Sequence, residues 1–182
     1  MHHRLPFRIY IHSNAYIHFV LILFVFPLSW VLAWMIAALF HELCHYFFVK
    51  VFGGKVESVE IGFGGFQICC STLYDWQNMI AILCGPLCGL LLVLVRHWIP
   101  KVSICSLILS IYNILPILPL DGGRALQILV KNKHVFRLIE IIIFIFMFLF
   151  GVYFCFILKL GMMPLVLILV LWIRYRKIPC KE

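Results

Sequence analysis

The chain has 182 residues, 65% of them hydrophobic and only 12% charged. A soluble domain of this size cannot cover that much apolar surface, so the composition excludes a water-soluble globule and points to lipid as the solvent. The formal charge of +8 would suit a nucleic-acid partner, but the basic residues flank apolar runs instead of clustering on one soluble module, which argues for no nucleic acid.

Nearly all of the length is taken up by spanning segments. The expectation is therefore one integral membrane domain over 1–182, an all-α membrane protein with about six transmembrane helices. The basic start, Met1 to Arg8, leads into an apolar run and has no small-x-small cleavage pattern. That predicts a retained first span and not a cleaved signal. The span covers about 14–27, and its start can reach back through Ile9–His12 to gain length. The second covers about 30–52 and stops at Gly53-Gly54. Residues 53–75 are more polar. Alternation in 56–61 and 66–68 around Gly62-Phe63-Gly64-Gly65-Phe66 predicts a short membrane-associated β-hairpin or loop between the second and third helices. The third span covers about 76–95, with Gly85-Pro86 as a place to bend. The fourth covers about 102–118, broken by Pro116 and Pro119, and a short helix follows Asp121. The fifth and sixth cover about 136–157 and 161–173.

Six spans put both termini on one side. Twelve of the fifteen Lys and Arg residues then fall on that side, and Arg96, Lys101 and Lys159 on the other. The positive-inside bias predicts a multi-pass cell membrane protein with both termini cytoplasmic. The eight cysteines form no CxxC pair. Cys84, Cys88, Cys105 and Cys155 lie in apolar runs, where cysteine is usually a small buried hydrophobe, so neither a disulfide framework nor a zinc ribbon is expected. Nothing in the sequence explains Cys69-Cys70.

The second span contains His41-Glu42-Leu43-Cys44-His45. Residues i and i+4 share a helix face, so both imidazoles can reach one Zn²⁺, and Glu42 beside them can take a proton from the attacking water. A carboxylate in an apolar helix costs roughly 2.5–3.5 kcal/mol on insertion scales. A metal site gives a reason to bear that cost; the plainer alternative is a polar cluster joining helices. A catalytic zinc wants a third protein ligand. Asp121 is the best candidate. Pro116 and Pro119 break the helix before it, and Gly122-Gly123 permit a tight turn after it. From Trp30 the second span reaches His41 after 11 residues, about 17 Å. The fourth span enters from the same face and delivers Asp121 at a depth comparable to His45 or somewhat nearer the cytoplasm. The simpler role for Asp121 is a helix cap, and the two roles can coexist.

HELCH in one span, the GFGG loop after it, Gly85-Pro86, and Asn113-Ile-Leu-Pro-Ile-Leu-Pro-Leu-Asp121-Gly-Gly-Arg124 together resemble the site-2 protease family of intramembrane zinc metalloproteases. The nearest likeness is the stage IV sporulation protein FB type, and it runs through nearly the whole chain in order. The resemblance implies six helices, zinc ligands His41, His45 and Asp121, Glu42 as catalytic base, and Asn113 near substrate or transition state. It implies that Phe63, Gly64, Gly65 and Phe66 pair with an extended substrate strand. It further implies a membrane-associated protein substrate in a bacterium, such as a sigma-factor precursor in sporulation, and a regulatory membrane partner. Two departures stand out. Cys44 occupies the glycine position of the family's HExGH, and the chain ends at Glu182 without the nucleotide-sensing CBS domain common in that branch. The rival functions are a non-proteolytic metal-binding or transport protein and an inactive scaffold of the same fold. His2, His3, His12, His18, His97 and His134 are scattered and expected at interfaces. Arg124 is expected to snorkel, and Glu140 to pair with Arg137 or Lys133.

Overall fold

The computed structural model describes residues 8–11, 26–62, 65–71 and 73–156. The expected first and sixth spans fall outside these, apart from Phe26 and Pro27. The chain divides into two compact units, Met1–Ile114 and Leu115–Glu182.

The first unit contains a small sheet and three helices. Strand β1 (Arg8–Ile11) pairs parallel with β2 (Lys55–Gly62), which pairs antiparallel with β3 (Gly65–Ser71). The sheet order is β1-β2-β3. Both alternating stretches of the sequence fall in β2 and β3, with Gly62 opposite Gly65 at the closed end and an irregularity between Val56 and Ser58. The expectation that the first span reaches back through Ile9–His12 is corrected over residues 8–11, which are strand. The Arg-Ile-Tyr-Ile run is β-branched and aromatic, and it forms a strand where a partner is available.

Helix α1 (Leu28–Val51) starts after Pro27 and ends where Gly53 takes φ +76°. Gly53 N–H donates to the Lys50 carbonyl at 3.0 Å, and Gly54 N–H to that of Val49 at 2.8 Å, closing the last turn. Its two long faces differ in kind. Ala33, Ala37 and His41, four residues apart, are all buried, while Leu39, Leu43 and Phe47 on another face are more than half exposed. The small pair packs on Cys105 and Val102. Small residues let helices approach closely, and the exposed leucines and phenylalanine suit lipid.

Helix α2 (Asp75–Leu91) runs through Pro86 and continues as a 3₁₀ turn to Val95. Helix α3 (Pro100–Ile114) lies against both α1 and α2. Its Ser106 hydroxyl donates to the Gly89 carbonyl, and its Ser103 hydroxyl to that of Leu92, both at 2.8 Å. A side chain at Gly89 would overlap the Ser110 hydroxyl. Lys101 Nζ reaches Ser29 Oγ at 2.8 Å and stands over the Trp30 ring, so α1 and α3 begin at the same end. Phe52 and Trp76 meet at 5.6 Å where α1 ends and α2 begins.

The second unit holds α4 (Asp121–Leu129) and α5 (Lys133–Phe156). The fourth hydrophobic segment stops being helical at Ile114, earlier than its apolar run to 118. Leu115 precedes Pro116, and a residue before proline is pushed out of the helical region. Three described stretches, Leu28–Val51, Asp75–Val95 and Lys133–Tyr153, are long and apolar enough to cross a membrane, while Pro100–Ile114 is apolar but shorter. The protein is a membrane protein, and among the described residues three spans meet the full length.

Candidate metal centre

The site starts from one turn of α1. His41 and His45 lie on the same face, and their Nε2 atoms come within 3.1 Å with the rings edge to face. Each ring turns the same nitrogen toward a common point. Two imidazoles on one tetrahedral zinc, at the usual metal–nitrogen lengths, have an N···N separation of about 3.3 Å. The pair therefore fits Zn²⁺.

The rest of the surroundings hold that arrangement. His45 Nδ1–H donates to the Ala81 carbonyl on α2 at 2.8 Å. A carbonyl only accepts, so the proton sits on Nδ1 and the lone pair is left on Nε2, the tautomer a metal needs. Gly85, one turn further along α2, leaves room beside the two rings. A Cβ there would overlap the His45 ring and lie 2.9 Å from His41 Nε2. It would fill the space onto which both nitrogens open. Gly85, read from the sequence as a place to bend, thus borders the imidazoles directly.

Glu42 follows His41 on α1 and is half-buried. Cys44 lies between the histidines in sequence and is half-buried. Asn113 is half-buried in the last turn of α3. Asp121 is the first residue of α4, following Leu120 in extended conformation. A carboxylate there is favoured by the helix dipole. Gly123 is closed in by the backbone of Ile117 and Leu118, which a Cβ would overlap. Only glycine lets the preceding loop fold back onto this turn. Of the predicted substrate loop, Phe63 and Gly64 lie outside the described residues, and Gly65 and Phe66 open β3 opposite Gly62 and Ile61.

Sequence reasoning missed two contacts. One is the Ala81 carbonyl; every residue carries such a group, so no letter marks it. The other is Glu140, whose Oε1 accepts the Leu118 N–H at 3.0 Å. A lone acid in an apolar helix was the available signal.

Comparison with solved structures gives the site-2 protease from Methanocaldococcus jannaschii, with a TM-score of 0.68 at 20% identity, covering 97% of this chain and 93% of that one. The fold is that of a site-2 protease. A zinc metalloprotease from the same organism is 26% identical over 114 residues, 54% of this chain and 33% of that protein. The chain thus matches about a third of the length of that curated relative. No family model matches the sequence. The site-2 protease fold and homology to a zinc metalloprotease are both consistent with a nitrogen-ligated zinc at the imidazole pair.

Proposed function

We propose that the chain is an intramembrane zinc metalloprotease of the site-2 type, hydrolysing a peptide bond of a membrane-associated protein at or within the bilayer. The observation that carries this reading is the facing Nε2 pair of His41 and His45 on an apolar helix, with His45 held in its ligand tautomer. His41, His45 and Asp121 hold the metal. Two neutral imidazoles call for an anionic third donor, and Asp121 opens a helix after a loop bent by two prolines.

Zinc, when bound, supplies Lewis acidity toward water and the peptide carbonyl. Glu42 takes the proton of the attacking water and passes it to the leaving amine. Asn113 donates a hydrogen bond to the carbonyl oxygen as negative charge grows on it. A peptide bond inside a helix is shielded, so the substrate unwinds first. The outer edge of β3 supports a docking role for the Phe63–Phe66 segment: among the described residues no strand pairs there, and an open edge takes an extended peptide by main-chain hydrogen bonds.

The lysine and arginine bias supports six spans with both termini cytoplasmic; a single domain rests on the share of the length that the spans take up, and a bacterial cell on the sequence resemblance. A sigma-factor precursor in sporulation as substrate, and a regulatory membrane partner, rest on the sequence resemblance alone.

The test is Glu42→Gln in the full chain, co-expressed with membrane-tethered transcription-factor substrates. The variant keeps its zinc and loses cleavage. A variant that cuts at the wild-type rate shows that Glu42 is not the base. A wild-type protein that cuts nothing but carries zinc into proteoliposomes is a transporter.

A further inference from the structure

Glu140 is 1% exposed, on a helix that is otherwise apolar from Leu138 to Phe156. An acidic residue buried in an apolar helix is costly and calls for a partner, and the proposed chemistry does not use it.

One of its contacts, to the loop before Asp121, shows what it does. Between α3 and α4 the chain runs Leu115-Pro-Ile-Leu-Pro-Leu120. Pro116 and Pro119 have no N–H to give. Ile117 N–H donates to the Leu115 carbonyl at 2.8 Å, and Leu120 N–H to the Ile117 carbonyl at 2.9 Å, both inside the loop. Leu118 N–H goes instead to Glu140 Oε1 at 3.0 Å. Every donor from Ile117 to Leu120 is then accounted for, and only Leu118 depends on another element. An orphaned N–H in an apolar setting costs several kcal/mol, so the loop keeps this shape only while an acceptor stands there. Three residues later the same loop delivers Asp121.

We propose that Glu140 is a positioning residue for Asp121: by accepting the Leu118 N–H it fixes the proline-flanked loop that sets where the Asp121 carboxylate points. This rests on the reading of Asp121 as a zinc ligand. What matters is an acceptor oxygen at the correct reach, not the negative charge.

That distinction sets the experiment. Zinc affinity is measured on the full chain in detergent by competition with a chromogenic chelator, for Glu140→Gln, Glu140→Asp, Glu140→Leu and Asp121→Ala. Glu140→Gln keeps an oxygen in place and stays within about threefold of wild type. Glu140→Asp keeps the charge but falls one methylene short, and Glu140→Leu has no acceptor. Both bind zinc about 10–100-fold more weakly, the usual loss when support of a ligand is removed. If Glu140→Asp matches wild type while Glu140→Gln binds weakly, charge and not reach is at work and the proposal fails. It also fails if Glu140→Leu binds zinc like wild type. Should Glu140→Leu not fold, the Gln–Asp contrast decides alone. Asp121→Ala separates the layers. Undiminished zinc binding there removes the ligand reading itself, whereas a large loss together with equal Gln and Asp variants removes only the role of Glu140.

Discussion

The turn at 41–45 and the loop at 115–120 are two ways of presenting polar groups in an apolar chain. The first stays helical. Its backbone groups bond within the helix, and only side chains need partners: the Ala81 carbonyl for His45 and the space at Gly85 for both rings. The second leaves the helix. Two prolines strip donors from it, and it draws on Glu140 for Leu118 and on the bare Cα of Gly123 for its fold-back. A regular helix positions donors through its own geometry, whereas irregular backbone must be held from outside. The two regions should therefore fail differently.

The largest expected effect tests the helical side alone. Glu42→Gln lowers the cleavage rate by about 10²–10⁴-fold, the contribution of a general base, with zinc content and thermal stability unchanged. Loss of zinc in this variant would mean that Glu42 is part of the metal's support.

A matched pair of glycine changes comes next. Gly123→Ala meets the Ile117 backbone and Gly85→Ala meets imidazole rings. Backbone cannot rotate away, so Gly123→Ala lowers stability by about 1–3 kcal/mol, the usual range for overpacking. The rings can turn, so Gly85→Ala weakens zinc binding while the melting temperature moves less. Thermal unfolding and chelator competition on both variants check this. Equal effects on both readouts would erase the contrast.

Gly53→Ala follows, at about 1 kcal/mol, because φ +76° is a conformation that L side chains rarely adopt. Ser106→Ala is the smallest. It removes the bond to the Gly89 carbonyl, and hydrogen bonds between membrane helices average about 0.6 kcal/mol. Neither change should alter zinc affinity, which separates scaffold from site.

The same contrast explains what could be read from the sequence. The two histidines and Glu42 were legible because spacing alone puts them on one turn. Pro116, Pro119 and Gly122-Gly123 marked the loop, but its helix ended at Ile114 and not at 118, since the apolar run continues past the point where proline forbids helix. Residues 8–11 are too few to show a period, and their partner lies some fifty positions downstream in β2. The Leu118–Glu140 bond joins a backbone group to a side chain across 22 positions. Glu140 was visible as an oddity, but its nearest charges, Lys133 and Arg137, suggested a different partner.

The central claim is one zinc ion held by His41, His45 and Asp121. Zinc-edge X-ray absorption on the purified full chain tests it most directly. The expected spectrum shows one zinc per chain, two imidazoles, and a shell of nitrogen and oxygen alone at about 2.0–2.2 Å. Sulfur scattering at about 2.3 Å would assign Cys44 or its neighbours instead, and an Asp121→Ala spectrum identical to wild type would contradict the account.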